Sequence, residues 1–493
     1  MIRAYYTDRT LLITGGTGFV GSALIAKTLA DLGDEVRRIY VLIRPRRRVD
    51  GGQVAPAERL EQLYETALFA PLRVDPVRWD ALRAKVVPVT IDERQADLGL
   101  ADEDRRRLLA EVDTIFNSAA TVVFDEPLDI SVQANVAGPQ ALLELAQASD
   151  RRVDFVHVST AYVNGQRCGQ IADEELPTNR DMRQIMDAAN TSASTPNTNV
   201  DFDPEAEVAD CRTFCEGVRA EASSAAFVRD LKRDILRQYP RSSGRKMTRT
   251  RLESLVDGRR SKWIERRLVD EGLRRGKVRG WTDVYTYTKA MGEQMLVLRR
   301  HDVPLVIVRP SIIESSLSDP EPGWITGLKV MDPLLAAYGR GLIPDFPARP
   351  DVIIDVIPVD MVVNGCLAAA TQANVAKVEV FHIATGSENP IKIGEMFDSV
   401  RTHYLRQPMT DIGDTPPQLP AWTYPSLSTF RLIFHMKYLY PIRAKEWMLN
   451  NIPGRKASPS QKRFLRSMRV RLQRVLYYID IYSPYTHLDC QFQ

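Results

Sequence analysis

The chain has 493 residues, 44% of them hydrophobic and 26% charged, which is too long for one core and ordinary for a globular protein of two or three folding units. A formal net charge of +3 gives no global field to draw nucleic acid. Five scattered cysteines, histidines that do not cluster, and Cys211 and Cys215 four apart with no second pair at zinc spacing argue against a disulfide scaffold and a metal site.

The N-terminus has no secretory pattern, and no apolar stretch approaches the ~20 residues of a membrane span. A cytoplasmic chain is expected, with a membrane surface as an alternative peripheral partner. Short apolar runs occur at Leu11–Thr14, Ile39–Ile43, Val86–Val89, Thr114–Asn117 and Phe155–Ser159, with helical patterns such as Gly21–Leu32 and Gly138–Ala148 between them. This alternation predicts an α/β fold, a doubly wound parallel sheet of the Rossmann type covered on both faces. The reading divides the chain into a dinucleotide-binding core (1–165), a basic helical insertion (166–280), a part holding the catalytic helix, the rest of the sheet and the substrate site (281–395), and a smaller helical domain (396–493). No internal repeat is present.

The first strand runs into Thr14-Gly15-Gly16-Thr17-Gly18-Phe19-Val20-Gly21. Gly15 serves the tight turn, Gly18 lets backbone approach a pyrophosphate, and Gly21 allows close packing of the helix on the sheet. The helix N-terminus that follows favours negative charge. Thr14, Gly15, Thr17, Gly18, Phe19, Val20 and Gly21 are therefore candidate cofactor contacts, a reading strengthened by the strand–turn–helix context. The second strand ends in Arg44, where an NAD site usually carries a carboxylate for the ribose. A guanidinium there suits a 2′-phosphate, so NADPH is the predicted cofactor.

Residues 190–203 are rich in Ser, Thr, Asn and Pro and read as a surface loop. The helical stretch behind it is strongly basic. Arg229–Gly280 holds 18 Lys/Arg against seven Asp/Glu, a local +11, which suits CoA phosphates, an anionic membrane surface or plain solvent. Tyr285-x-x-x-Lys289 then places a phenol and an amine on one helical face. An ammonium nearby lowers a phenol's pKa and fits it for proton transfer. Ser159 and Thr160, at the end of another strand, offer hydroxyls for a carbonyl oxygen. Tyr287 points another way and is assigned to packing. A final amphipathic helix around Arg463–Leu476 is expected to pack on its own domain.

Together, TGGTGFVG, NSAATVVF, HVSTAYVNG and YTYTK resemble the extended short-chain dehydrogenase/reductase superfamily. That resemblance implies catalysis by Thr160, Tyr285 and Lys289. Thr160 is preferred because the family hydroxyl lies five residues before a glycine, here Gly165; Ser159 stays a candidate. It also implies that Lys289 holds the nicotinamide ribose, that Ala119 and Ala120 line the cofactor cleft, that Asn135 supports the central helix and that Asp92 approaches the adenine.

Longer segments narrow the resemblance. Gly280–Tyr285, Arg309-Pro310-Ser311-Ile312-Ile313-Glu314, Pro322-Gly323-Trp324-Ile325, Ile354–Asn364 and the tail Asp480–Thr486 resemble the alcohol-forming fatty acyl-CoA reductases. Pro310 and Ser311 join the cofactor set on this basis, and Trp281 and Trp324 fall beside the expected substrate channel. The implied reaction takes acyl-CoA through an aldehyde to a primary alcohol. Rival readings are an aldehyde-forming thioester reductase and a sugar-nucleotide epimerase or dehydrogenase on the same scaffold. The insertion is longer and more basic than the resemblance leads one to expect, and the short stretch after the tail motif implies a reduced C-terminal domain.

Overall fold

The computed structural model describes residues 2–47, 51–92, 94–190, 202–238, 247–327, 331–409, 417–451 and 458–493. Most of the predicted surface loop and part of the Pro-rich stretch near 408–425 lie outside them. The chain forms two compact units.

The first unit comprises Met1–Gln166, Ala172–Ile325 and Ile357–Ala384. At its centre is a seven-stranded sheet, β1 (Thr10–Thr14), β2 (Arg38–Ile43), β3 (Val86–Thr90), β4 (Thr114–Asn117), β5 (Asp154–Val158), β6 (Leu305–Pro310) and β7 (Glu379–Ile383). Their spatial order is 7-6-5-4-1-2-3 and every pairing is parallel. The predicted doubly wound sheet is therefore present, and the order reverses between β1 and β4. Such a switch point leaves a crevice at the carboxyl ends of the strands, where ligands bind in this fold class. The central strands β1, β4 and β5 are buried along their whole length, which is why they read as continuous apolar runs.

Helices cover both faces. They include α1 (Phe19–Leu32), α2 (Pro56–Tyr64), α3 (Leu128–Val132), α4 (Gly138–Gln147), α5 (Pro204–Ser223), α6 (Ala225–Gln238), α7 (Arg249–Arg279), α8 (Val284–Arg299) and α9 (Val359–Ala370). A single π-turn, Gln133–Ala137, joins α3 to α4. The helices of the basic stretch pack within this unit. Val208, Cys211, Cys215 and Val218 of α5 and Leu268 of α7 share an apolar cluster with Val284, Tyr287 and Met291 of α8.

The second unit comprises Arg167–Ile171, Thr326–Val356 and Thr385–Gln493. Gly169–Ile171 pairs with Cys490–Phe492, and Ile353–Ile354 with Ile391–Lys392. An aromatic stack holds its centre: the Trp422 ring lies 3.8 Å from Tyr338 and 4.5 Å from Phe397, and its Nε1 donates to the Phe397 carbonyl at 3.1 Å. Its helices include Asp332–Gly339, which carries Tyr338, and α10 (Ile393–Arg406), α11 (Leu427–Phe434), α12 (Tyr440–Asn451) and α13 (Pro459–Tyr482).

Candidate active site

The glycine loop is built by backbone necessity. Gly15 sits at φ +68°, in the left-handed region, and a Cβ there would meet Ala119 N at 2.8 Å. A Cβ on Gly21 would lie 2.3 Å from the Gly15 carbonyl oxygen. Gly21 therefore lets the start of α1 close onto the backbone that leaves β1. No side chain caps α1 at Gly18, and the positive end of a helix dipole favours an anion. Thr14 pins the loop to the neighbouring strand end. Its hydroxyl donates to Asn117 Oδ1 at 2.8 Å and accepts from Ala119 N at 3.1 Å, while Ser118 Oγ donates to the Thr14 carbonyl at 2.6 Å. Ala119 and Ala120 thus stand across the switch point from the loop. Val20 is half-buried in the first turn of α1.

Arg44 follows β2 on the surface. A second guanidinium, unforeseen in the sequence, joins it from α2. Arg59 Nη1 donates to the Arg44 carbonyl at 2.6 Å and Nη2 to Thr17 Oγ1 at 2.7 Å. Burial and the charges of Arg44 and Arg46 pull the Arg59 pKa down. A concentration of cations that costs energy by itself is relieved by a bound anion. Asp92, after β3, is exposed and turns its carboxylate onto its own loop, accepting from Arg94 N at 3.2 Å and Gln95 Nε2 at 3.0 Å.

Tyr285 enters at the start of α8, whose N-cap Asp283 accepts from Thr286 N at 2.8 Å. The Thr160 side chain lies beside the Tyr285 phenol and works to lower its pKa, and the Phe124 ring stacks on the phenol at 5.8 Å. Thr160 also accepts from Tyr162 N at 3.3 Å. Ser159 lies differently: its Oγ is buried with no hydrogen-bond partner among the described residues. Of the two hydroxyls, Thr160 is the one that meets Tyr285.

Lys289 Nζ donates to the Val158 carbonyl at 2.7 Å. Burial pulls its pKa down to about 8, with the Glu293 carboxylate opposing. The expected depression of the Tyr285 pKa by Lys289 is not found. Burial raises the phenol above its ordinary value, although the Thr160 side chain works against the rise. The physical reason is desolvation by the protein packed around the half-buried phenol, while the ammonium is spent on a strand-end carbonyl.

Two polar devices frame the pair. Asn135, on the π-turn, donates from Nδ2 to Thr288 Oγ1 of α8 at 2.9 Å. Under Lys289, His157 is fully buried and held neutral by desolvation and the lysine's charge. Asn117 Nδ2 donates to its Nδ1 at 3.0 Å, so the ring proton belongs on Nε2. Thr14, Asn117 and His157 thus form one hydrogen-bonded line across three strand ends.

The rest of the motif-bearing chain supports this centre. Arg309 and Glu293 make a buried ion pair through three contacts of 2.7 to 3.2 Å, and Arg309 Nη1 reaches the Glu174 carbonyl at 2.8 Å. Pro310 ends β6. Ser311 N donates to the Ile383 carbonyl at 3.0 Å, and Ser311 Oγ is buried without a partner among the described residues. Asp360 gathers Leu317 N, Ser318 N and Asp319 N at 2.9 to 3.2 Å. That loop carries the Pro-Gly-Trp-Ile motif, and the Trp324 ring rests 5.5 Å from Phe19 at the start of α1. Trp281 is buried, and its Nε1 donates to the Val163 carbonyl at 2.7 Å. Tyr287 packs as expected and also anchors a network. Its hydroxyl donates to Glu207 Oε1 at 2.6 Å, and Glu207 pairs with Arg275 at 3.1 Å and Arg279 at 2.7 Å.

The profile of a family described as "Male sterility protein" matches residues 13–366. The chain belongs to this family, that of the fatty acyl-CoA reductases. The reductase is 31% identical over 427 residues to "Fatty acyl-CoA reductase 2, chloroplastic" of Arabidopsis thaliana, covering 84% of this chain and spanning 60% of that relative. It is 27% identical over 491 residues to "Alcohol-forming fatty acyl-CoA reductase" of Simmondsia chinensis, covering 98% of this chain and 87% of the relative. Among solved structures, the terminal R domain of the myxalamid PKS-NRPS pathway shares the fold, with a TM-score of 0.51 at 16% identity over 97% of this chain and 90% of that one.

The reductase is an oxidoreductase with an NAD(P)-binding domain. None of its helices, among the described residues, is long and apolar enough to cross a membrane. The groups missed in its sequence share one trait. Arg59, His157, Asn117 and Glu207 each act through a partner at least 15 positions away, and no local spacing announces such a contact.

Proposed function

We propose that this reductase takes a long-chain fatty acyl-CoA thioester through an aldehyde to a primary alcohol with two equivalents of NADPH, releasing CoA. The observation that carries the reading is the placement of Thr160 beside Tyr285, with Lys289 one helical turn on and bound to the Val158 carbonyl, near the carboxyl ends of the strands where the glycine loop also lies. The cofactor's place is supported by the N-terminus of α1, which no side chain caps at Gly18, by Thr14, Gly15, Thr17, Gly18, Phe19, Val20 and Gly21, and by Ala119, Ala120, Pro310 and Ser311. Arg44 and Arg59 suit a 2′-phosphate. Asp92 is proposed to face the adenine, and Asn135 to hold the π-turn on α8.

NADPH supplies hydride to the carbonyl carbon. Thr160 and Tyr285 donate hydrogen bonds to the carbonyl oxygen and stabilise the charge that develops there. The C–S bond then breaks, the electron pair leaves with sulfur as CoA thiolate, and the aldehyde carbonyl takes the same two hydrogen bonds. In the second reduction Tyr285 gives its proton to the alkoxide. A phenol raised by burial is a poor resting base and a well-protonated donor, which suits both steps. Lys289, protonated in most molecules at neutral pH, is placed to hold the nicotinamide ribose, and solvent returns the proton that Tyr285 has given. Two hydrides and two protons convert the thioester to alcohol plus free thiol.

The test is oxidation of NADPH with C8 to C18 acyl-CoAs, with products identified by mass spectrometry. Two NADPH per thioester and an alcohol are expected, with both steps lost in Tyr285→Phe. One NADPH per thioester with free aldehyde would replace this reading with the aldehyde-forming one. Full aldehyde reduction by Tyr285→Phe would remove the single-site mechanism.

A further inference from the structure

The helices α11, α12 and α13 of the second unit leave apolar surface uncovered. A π-turn, His435–Leu439, joins α11 to α12, and α13 runs antiparallel to both, fastened by Arg431–Asp480 at 2.9 Å and Arg469–Glu446 at 3.1 Å. Leu432, Met436 and Tyr440 recur every four residues, with Trp447 seven further on. These are 63%, 60%, 49% and 63% exposed. On α13, Leu465 and Ile479 are buried, but Phe464 is 60% exposed, and Met468 and Tyr478 follow it along the same edge. Single exposed apolar residues are ordinary, whereas a run of them on adjoining helices marks a contact surface.

The charges interleaved with them identify the occupant. With the π-turn between α11 and α12, the described residues of the hairpin from Leu427 to Tyr482 carry ten Lys/Arg and two Asp/Glu, and both carboxylates, Glu446 and Asp480, are already in the ion pairs that hold the hairpin. We propose that this hairpin seats the reductase on an anionic phospholipid surface, with Leu432, Met436, Trp447 and Phe464 entering the acyl boundary and the arginines and lysines meeting the headgroups. Amphipathic helices bind such surfaces by buried apolar area plus attraction to anionic lipid, and tryptophan and tyrosine settle at the headgroup level. A second copy of the chain is the less suitable occupant, because two hairpins of the same positive sign repel. The surface uses none of the catalytic groups, so it stands or falls apart from the reductase reading.

Flotation of the full chain with vesicles of phosphatidylcholine, and of phosphatidylcholine mixed with phosphatidylglycerol, tests it. Binding to the anionic vesicles at low salt should exceed binding to the neutral ones by at least ~10-fold and fall as salt rises. Brominated acyl chains should quench the fluorescence of Trp447, because Trp79, Trp281, Trp324 and Trp422 are buried and Trp263, half-buried, packs on Phe227 in the first unit. Trp447→Phe should bind and lose the quenching. Met436→Ser/Trp447→Ser/Phe464→Ser and Lys462→Glu/Arg466→Glu/Arg474→Glu should each lose binding while keeping the wild-type circular dichroism. Absence of binding at low salt, equal binding to both vesicles, or quenching that persists in Trp447→Phe would overturn the proposal. So would a dimer, seen by sedimentation, that the triple serine variant dissolves.

Discussion

Replacing Lys289 with methionine should make the chain more stable in neutral solution while abolishing reduction. The ammonium is buried, and its hydrogen bond among the described residues is to one carbonyl, Val158. Burial lowers its pKa from 10.5 to about 8. At about 1.4 kcal/mol for each tenfold change in the protonation equilibrium, keeping the lysine charged in the folded state costs about 3 kcal/mol. Below pH 8 both the folded and unfolded lysines are protonated, and the cost is fully present. Between about 8 and 10.5 the unfolded chain holds the proton that the folded chain has lost, so stability rises with pH. Above 10.5 both are neutral and the cost is gone. Methionine fills a similar volume, leaves the Val158 carbonyl short of a donor at a cost of about 1 kcal/mol, and removes the larger penalty. A net gain of about 2 kcal/mol at pH 7, shrinking to nothing or reversing near pH 10.5, is expected from urea unfolding of the cofactor-free chain. Stability curves of the two proteins that run parallel from pH 7 to 10.5 would refute the reasoning, as would a less stable Lys289→Met at pH 7.

Other perturbations test the frame around that lysine. Arg309→Met strands Glu293 in the core and should cost about 3–5 kcal/mol, whereas Arg309→Met with Glu293→Leu should recover most of it; thermal unfolding of the single and double variants distinguishes them. Arg59→Ala should raise the KM for NADPH by ~10-fold or more and leave that for NADH nearly unchanged, and Arg44→Asp should discriminate in the same direction; equal effects on the two cofactors would dismiss the 2′-phosphate assignment. Thr160→Val should lower kcat by ~100-fold or more while Ser159→Ala stays within ~10-fold, a comparison read from steady-state rates with one acyl-CoA; the reverse order would return the role to Ser159.

The core of the fold was legible because parallel strands buried on both faces leave unbroken apolar runs. Leu11–Thr14, Thr114–Asn117 and Phe155–Ser159 overlap β1, β4 and β5 almost residue for residue. The seventh strand was not picked out. Glu379–Ile383 lies at the sheet edge and is buried only at alternate positions, so it carries half the signal. In the candidate site, the glycine loop, Thr160, Tyr285 and Lys289 follow from local spacing. The environment that sets their chemistry does not. The sign of the Tyr285 shift depends on how much water the fold excludes, and the Lys289 acceptor is a backbone atom on another element. Arg59 likewise becomes a neighbour of Thr17 only when α2 folds back over the loop.

The link from Tyr287 to Glu207 and Arg279 sets the limits for anyone reshaping this scaffold. Tyr285 and Tyr287 share a turn of α8, so whatever anchors one phenol also fixes the other's bearing. The distal stretch of the insertion, α6 and the first half of α7, buries few residues beyond Ile235 and Val256. It is the natural place to trim, swap or fuse a foreign module. The base of the insertion, from Glu207 to Cys215 and from Leu268 to Arg279, packs directly on α8. A graft that keeps the motifs yet discards that base would carry the right letters on an unsupported helix.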